Sequence, residues 1–167
     1  MWIITIVVIL VLGSMAYAAV SGAPWVPTWK RDITRIINLG QPQKGEVFYE
    51  LGCGTAGTVI SVAEKSGAKG IGVELSFLQF LIAYIRAKLS RSNVSIKWKK
   101  LFKINLADAD IIYLFLMPEA YEKLRAKLER ELKPGTRVIS YVWPIKGWDV
   151  VNVDKKSGKQ ALYLYVM

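Results

Sequence analysis

Residues 48–57 read Phe48-Tyr-Glu-Leu-Gly-Cys-Gly-Thr-Ala-Gly57, and residues 70–75 read Gly70-Ile-Gly-Val-Glu-Leu75. The first stretch is typical of a buried strand that ends in a glycine-rich turn. The second is typical of a strand that ends in a carboxylate, and a helix is predicted between the two. This order of elements is the local pattern of a site for a nucleotide-type cofactor.

Glu50 stands two residues before the first glycine of the turn, at the tip of the first predicted strand. A dinucleotide brings a negatively charged pyrophosphate to such a turn, which gives no general reason for an acid at this position. S-adenosylmethionine (SAM) brings a cationic sulfonium and an amino group instead. The acid therefore favours SAM as the cofactor.

The same turn also satisfies the NAD fingerprint, with glycines at positions 52, 54 and 57 and with Glu74 where the ribose would bind. A dehydrogenase needs a proton relay and a substrate domain. The chain has no histidine, and roughly 120 residues of predicted fold leave little room for a second domain. An NAD enzyme is the weaker alternative.

The charge of the chain lies beyond Trp29, because residues 1–29 contain no charged side chain. The rest carries 23 basic and 13 acidic side chains, a net charge of +10. Such a balance favours anionic partners, either lipid headgroups or nucleic acid. The lack of histidine and the single cysteine, Cys53, exclude a disulfide framework and any Cys/His metal site, so no metal is predicted.

The N-terminal apolar run is long enough to predict a membrane-spanning anchor over residues 1–22. Lys30, Arg31 and Arg35 follow it, so the positive-inside rule predicts a single-pass membrane protein whose domain lies on the cytosolic side. A cleaved signal peptide is the alternative, since residues 16–18 resemble a cleavage site. The absence of a basic segment before the run argues against it.

Beyond the anchor, residues 23–45 are predicted to form a connector and a short helix, and residues 46–167 a single α/β domain. Alternating strands and helices followed by a hairpin predict a doubly wound, mostly parallel sheet with a C-terminal antiparallel hairpin. The helix that follows Ser76 is expected to carry an apolar stripe at positions 77, 80, 81, 84 and 85. The predicted strands lie at 47–51, 69–74, 94–98, 109–116, 136–142, 149–153 and 160–166, and the predicted helices at 29–39, 57–65, 76–90 and 118–132.

The Glu-x-Gly-x-Gly turn and the acid after the second strand resemble those of the seven-strand class I SAM-dependent methyltransferases, which have a Rossmann-like sheet. Four features are similar to the membrane-anchored FAM173-type protein lysine methyltransferases, which act on the ATP synthase c subunit and the adenine nucleotide translocase of mitochondria. They are the apolar N-terminal helix, Pro-Trp-Val-Pro-Thr at 24–28, Tyr-Glu-Leu-Gly-Cys-Gly at 49–54 and Gly-Val-Glu-Leu at 72–75.

The resemblance implies a role for each residue of the cofactor site. Glu50 is expected to face the amino group of the methionine moiety, and Glu74 to accept both ribose hydroxyls. Glycines in the turn let the backbone approach the cofactor. Leucines line the adenine, and the Pro-Thr pair closes over the methionine end. The residues expected to bind the cofactor are Pro27, Thr28, Glu50, Gly52, Cys53, Gly54, Thr55, Glu74, Leu75 and Leu101.

Two positions depart from the family pattern. The third glycine of the turn falls at Ala56, with Gly57 one place late, so a different turn geometry is expected. The acid that receives the adenine amino group after the third strand is replaced by Lys99 or Lys100. The adenine is then expected to be held by backbone groups, or SAM to bind less tightly.

A methyltransferase acting on lysine needs the neutral amine, which costs about 4 kcal/mol near pH 7.4. Without histidine, the candidate proton acceptors are Glu119, Tyr113 and Ser140. Glu119 has a second interpretation, in which it only favours the N-terminus of its helix electrostatically.

The sequence thus predicts a membrane-anchored SAM-dependent N-methyltransferase that modifies lysine on a protein at or near a membrane, with the lipid bilayer as a partner through residues 1–22. Alternatives are a small-molecule, lipid or RNA methyltransferase and a non-catalytic membrane-tethered SAM-binding module. In an RNA methyltransferase, the RNA would be bound by a basic cluster formed by Lys97, Lys99, Lys100 and Lys103. A solvated or lipid-facing surface is the favoured interpretation of this cluster, so nucleic acid is not the predicted partner.

Overall fold

The computed structural model of the chain describes residues 2–21 and 26–167 and shows an α/β fold with helices around one seven-stranded sheet. The predicted boundary between anchor and connector, at residues 22 and 23, lies outside the described residues. The helices are α1 (Trp2–Ser21), α2 (Lys30–Gly40), α3 (Gly57–Ser66), α4 (Phe77–Leu89) and α5 (Pro118–Glu131), with a 3₁₀ turn at Leu101–Lys103. The strands are β1 (Val47–Leu51), β2 (Lys69–Glu74), β3 (Val94–Trp98), β4 (Ile111–Leu114), β5 (Arg137–Tyr141), β6 (Asn152–Asp154) and β7 (Leu162–Val166).

The order of strands in the sheet is β3-β2-β1-β4-β5-β7-β6. The first five are parallel, whereas β7 is antiparallel to both of its neighbours, β5 and β6. The predicted parallel sheet with an antiparallel C-terminal hairpin is therefore confirmed. Its central strand β4 is buried along its whole length, which explains the continuous apolar run in the sequence.

Strand β1 lies where the chain changes direction across the sheet, between β2 on one side and β4 on the other. In open α/β sheets, ligands bind in the crevice outside the carboxyl ends of strands at such a point. The register places Glu50 beside Gly72 of β2 and Tyr113 of β4. The acid that the sequence singled out thus lies near the expected crevice.

Helix α2 is fastened to the C-terminal hairpin by a buried charge network. The guanidinium of Arg35 donates to both carboxylate oxygens of Asp154 (3.0 and 3.1 Å), to Asp32 Oδ1 (2.9 Å) and to the carbonyls of Asp154 and Gln160. Tyr141 of β5 donates its hydroxyl to the other oxygen of Asp32 (2.7 Å). Burial alone would raise the pKa of Asp32, but the bonds from Tyr141 and Arg35 outweigh it and lower that pKa.

Helix α4 places its large apolar side chains outward. Its buried face consists of Gln79, Ala83 and Ala87, whose small or compact side chains let the helix lie close to β2 and β3. Of the apolar stripe predicted here, only Phe80 is part-buried. Leu78 is part-buried as well. Six large apolar side chains of the helix are 38–79% exposed, and they are Phe77, Leu81, Ile82, Tyr84, Ile85 and Leu89.

Helix α1 lies against the beginning of α4. The backbone N–H of Phe77 donates to Ser14 Oγ (2.9 Å), and the ammonium of Lys100 lies 5.0 Å from the centre of the Tyr17 ring. The predicted N-terminal helix is present, but no helix within residues 2–21 and 26–167 combines the length and the apolarity needed to cross a membrane. The spanning anchor predicted over residues 1–22 is therefore not supported.

Candidate cofactor site and neighbouring cleft

The glycine-rich turn after β1 has a backbone conformation that depends on two of its glycines. Gly52 and Gly54 have φ angles of +82° and +53°, a region that other residues enter at a cost. A Cβ on Gly52 would lie 3.1 Å from a methyl group of Leu116, just past the end of β4. The turn is pinned to β2 because the N–H groups of Gly52 and Cys53 both donate to the carbonyl of Val73 (2.8 and 3.0 Å).

Ala56 occupies a left-handed conformation although it is not glycine. Its φ is 62° and its side chain is fully buried, immediately before α3 begins. A left-handed alanine costs roughly 1–2 kcal/mol. Alanine thus stands where the family pattern has glycine. The backbone here has the left-handed conformation that a glycine adopts without this cost.

Glu50 is a buried carboxyl directed at the N-terminus of α3. Its Oε2 accepts the backbone N–H of Val59 (2.8 Å), and the Thr58 side chain also bonds to it. Burial raises the pKa of Glu50 to about 8, although the bonds from Val59 and Thr58 act to lower it. The nearby carboxylate of Glu74 adds to the rise. A cation placed beside Glu50 would reverse this shift.

Glu74, at the end of β2, joins the glycine turn to the β2–α4 loop. Its Oε2 accepts the N–H of Gly54 (2.8 Å), and its Oε1 accepts those of Leu75 (2.8 Å) and Ser76 (2.7 Å). A carboxylate offers about four acceptor positions, so one is left on Oε2. Glu74 can therefore receive one ribose hydroxyl as it stands, and a second only if a backbone N–H is released.

Trp98 is a residue of this site that the sequence reasoning missed. It ends β3 beside Glu74, and its indole N–H donates to the carbonyl of Leu75 (2.9 Å). Phe77 and Phe80 pack against its ring, with centroids 5.3 and 6.0 Å away. Leu75 and Leu101, the residues expected to line the adenine, are both part-exposed. An aromatic residue at the end of the third strand was the signal available in the sequence.

The two lysines at the expected position of the adenine acid make contacts of different kinds. The backbone N–H of Lys99 donates to the carbonyl of Glu74 (3.0 Å), and the Lys100 ammonium lies over Tyr17 of α1. Backbone groups of this loop are thus fixed in place by β2. Whether backbone groups hold the adenine or SAM binds less tightly stays a prediction.

The Pro-Thr segment reaches the sheet through one hydrogen bond. Thr28 Oγ1 lies 2.9 Å from the hydroxyl of Tyr113, which is fully buried on β4. Burial raises the pKa of Tyr113 far above its usual range, so the phenol stays protonated. Thr28 is therefore brought to β4, the strand beside Glu50, while Pro27 is exposed.

The three candidate proton acceptors lie in different surroundings. Tyr113 is covered by Thr28. Ser140 is fully buried on β5 and donates to the carbonyl of Trp143 (2.8 Å), which closes the loop after the strand. Glu119 is exposed in the first turn of α5. The structure thus brings Tyr113 and Glu50 together on neighbouring strands and leaves Glu119 at the surface.

A cleft of about 290 Å³ lies at the carboxyl ends of β4 and β5. Pro118 and Tyr121 of α5 form one wall, and Pro144 and Lys146 form the other. The Tyr121 hydroxyl contacts the carbonyls of Leu114 and Tyr141, so it holds the two strand ends together. Within the described part of the chain, no cluster of three or more His, Cys, Asp or Glu side chains could hold a metal ion.

The chain is similar to known protein methyltransferases along most of its length. Residues 50–152 match a family described as the ANTKMT methyltransferase domain. A protein-lysine N-methyltransferase of Saccharolobus islandicus (strain REY15A) is 31% identical over 150 residues, which cover 86% of this chain and 93% of that protein. The adenine nucleotide translocase lysine N-methyltransferase of Mus musculus is 29% identical over 133 residues, or 78% of this chain and 57% of that protein.

A solved structure extends the similarity to three dimensions. It is an RNA methyltransferase from Salinibacter ruber in complex with S-adenosyl-L-homocysteine (SAH), with 29% sequence identity and a TM-score of 0.81. The matched region covers 84% of this chain and 93% of that one. Both the fold and the sequence thus agree with a methyltransferase that uses SAM.

Proposed function

The chain belongs to the ANTKMT methyltransferase domain family and is a SAM-dependent enzyme, and we propose that it methylates lysine side chains of protein. The observation that carries the proposal is the 31% identity to a protein-lysine N-methyltransferase, because it extends over 86% of the chain. The glycine turn and its two acids lie at the crevice where the fold is expected to bind its cofactor.

The residues present in the site fit SAM. Gly52 and Gly54 have positive φ and leave the turn without side chains at these two positions, of which Gly52 lies close to Leu116 just past β4. Glu50 offers a buried carboxyl for a cation, and Glu74 retains an acceptor position for a ribose hydroxyl. When bound, SAM supplies an activated methyl group together with its own leaving group. The protein then has to align the acceptor amine and exclude water.

The target lysine is proposed to enter from the cleft at the ends of β4 and β5. Glu119 is exposed in the first turn of α5, and its neighbour Pro118 lines the cleft. Tyr113 and Ser140 are both buried and hydrogen-bonded to protein groups. Of the three candidates, Glu119 is therefore the one we propose as the acceptor that takes up the proton of the incoming lysine.

The proposed function is tested by offering the full chain labelled SAM together with protein, lipid and RNA fractions of a cell extract. We expect label in protein, recovered as methyl-lysine after acid hydrolysis. Label that stays with RNA or lipid would contradict the proposal. The Glu74→Ala variant serves as the control, since label that persists in it must come from another enzyme.

RNA methylation is the second candidate, because the Salinibacter ruber structure is that of an RNA methyltransferase. The exposed lysines at positions 97, 99, 100 and 103 could meet phosphates. Against this candidate, the cleft is lined by Glu122 as well as by Arg125 and Lys146, so its walls do not form the uniformly basic surface that a phosphate backbone favours. The fraction assay separates the two functions directly.

We further propose that the enzyme acts at a membrane, with its methyltransferase domain on the cytosolic side and a membrane-associated protein as its substrate. Helix α1 has no charged side chain and exposes apolar residues along its length, among them Trp2, Ile4 and Ile9. Lys30 and Arg31 follow it and are exposed, so they can meet anionic lipid headgroups. These features support contact with a membrane.

The pKa of Glu50 predicts that cofactor binding depends on pH. With a pKa of about 8, the carboxyl is protonated at neutral pH in the free protein, and pairing with the ligand's ammonium requires the ionised form. Binding of SAH should therefore release a proton below about pH 8, and the affinity should fall up to about tenfold for each pH unit below that value.

This linkage is measured by calorimetric titration of SAH at about pH 7 in buffers of different ionisation enthalpy. The observed enthalpy should depend on the buffer for the native chain and much less for Glu50→Gln. An affinity that does not change between about pH 6 and about pH 8 would show that Glu50 does not pair with the ligand. Glu50→Gln also separates the proton of Glu50 from that of Glu74, whose pKa is raised by burial as well.

A further inference from the structure

The outward face of α4 has an unusual composition for a protein surface. Six large apolar side chains of this 13-residue helix are between 38% and 79% exposed, while its alanines face the sheet. Leu81, Ile82 and Ile85 lie in adjacent turns, and Leu89 extends the face by one more turn. Monomeric soluble proteins rarely leave a contiguous apolar surface of this kind uncovered, and such surfaces mark interaction sites.

The segment around α4 is also the most one-sidedly charged part of the chain. Between Glu74 and Asp108 there are seven basic residues and no acidic one. All seven are exposed, and they lie on α4, on β3 or in the segments that follow these two elements. The basic residues are Arg86, Lys88, Arg91, Lys97, Lys99, Lys100 and Lys103. An apolar face bordered by lysine and arginine is typical of helices that lie in the plane of an anionic membrane surface.

Aromatic side chains lie where the apolar face meets the basic residues. Lys88 places its ammonium 5.6 Å from the centre of the Tyr84 ring, and Trp98 is 58% exposed at the end of β3. Tyrosine and tryptophan favour the boundary between lipid and water. Helix α1, which is uncharged, contacts the first residue of α4 through Ser14.

We propose that the outward face of α4 binds the surface of an anionic lipid bilayer, as a second membrane contact beside α1. This inference extends the proposed membrane location, and it does not depend on which molecule accepts the methyl group. The contact would fix the orientation of the domain, because Trp98 joins this surface to the loop after β2. The edge of the cofactor site formed by Leu75 would then lie close to the headgroups. The carboxyl ends of the strands would point parallel to the membrane surface.

An environment-sensitive fluorophore on the full chain tests this contact. The single native cysteine, Cys53, is buried, and burial raises the pKa of its thiol, so an introduced Leu81→Cys takes the label. Vesicles of phosphatidylcholine and phosphatidylglycerol should shift its emission to the blue. Val151→Cys, on the hairpin and 62% exposed in the native chain, is the matched control and should not shift.

The charge requirement is tested with Lys88→Glu combined with Lys97→Glu. Two lysines near an anionic surface contribute enough that their reversal should weaken partitioning into these vesicles by at least about tenfold. Vesicles of phosphatidylcholine alone should show little difference between the variant and the native chain.

Three outcomes would overturn the proposal. One is that the chain sediments with vesicles while the label on Leu81→Cys shows no blue shift, since α1 alone would then make the contact. Another is a blue shift without vesicles that grows with protein concentration, which would assign the face to a second copy of the chain. The third is no binding to vesicles at all. In each case methyl transfer to the protein fraction of a cell extract is measured separately, so failure here is distinguishable from failure of the proposed function.

Discussion

Replacing Glu74 by alanine should weaken the binding of SAH by at least about 100-fold, or about 2.7 kcal/mol. The carboxylate accepts three backbone N–H groups, from Gly54, Leu75 and Ser76. Hydrogen bonds to a charged group contribute about 1.5–3 kcal/mol each. Without them, the glycine turn and the β2–α4 loop lose their common anchor in addition to the contact with the ribose. Loss of preorganisation and loss of a ligand contact therefore act in the same direction.

The measurement is calorimetric titration of SAH into the native chain and into the variant, with thermal unfolding as a check that both are folded. Glu64→Ala is the matched control, because Glu64 is an exposed glutamate on α3, and its replacement should leave the affinity unchanged. Glu74→Gln keeps one acceptor oxygen, and its affinity for SAH should lie between that of the native chain and that of Glu74→Ala. An affinity of Glu74→Ala within about threefold of the native value would contradict the assignment of Glu74.

Replacing Arg35 by alanine should lower the free energy of unfolding by about 3–5 kcal/mol. The guanidinium is 4% exposed and compensates the buried carboxylate of Asp32 as well as that of Asp154. Without it, Asp32 keeps only the bond from Tyr141, and the carbonyls of Asp154 and Gln160 lose a donor. Removal of one member of a buried ion network is costly because it leaves an uncompensated charge.

Urea unfolding of the two proteins measures this difference. Arg130→Ala is the matched control: its side chain is 69% exposed in an ion pair with Glu131, and exposed pairs contribute less than about 1 kcal/mol. If Arg35→Ala and Arg130→Ala unfold at the same urea concentration, the network does not stabilise the fold. Tyr141→Phe, which removes one hydrogen bond to Asp32, should give an intermediate loss of about 1–2 kcal/mol.

The glycine turn and its two acids could be predicted because their roles depend on residues close in sequence. Gly54 and Glu74 are only 20 residues apart, within one strand–helix–strand unit with known geometry. The buried network could not be found in this way. Arg35 and Asp154 are 119 residues apart, and Arg35 is in a helix whose sequence gives no sign that this charge, among several, is buried.

The orientation of α4 shows a second limit of sequence reasoning. An apolar stripe at helical spacing predicts that one side of the helix is apolar, but it does not say which side faces the sheet. Here Ala83 and Ala87 allow a close approach to β2 and β3, and six of the large apolar side chains are exposed. The N-terminal helix was predicted correctly as a helix, whereas its apolar sequence led to a membrane-spanning assignment that the structure does not support.

The most direct test of this account is a crystal structure of the full chain with SAH. We expect a ribose hydroxyl within hydrogen-bond distance of Glu74 Oε2 and the amino group of the ligand beside the carboxylate of Glu50. The adenine should lie between Leu75 and Leu101, next to Trp98. Density for the ligand away from the glycine turn, or a ribose that does not reach Glu74, would contradict the cofactor site on which the proposed function depends.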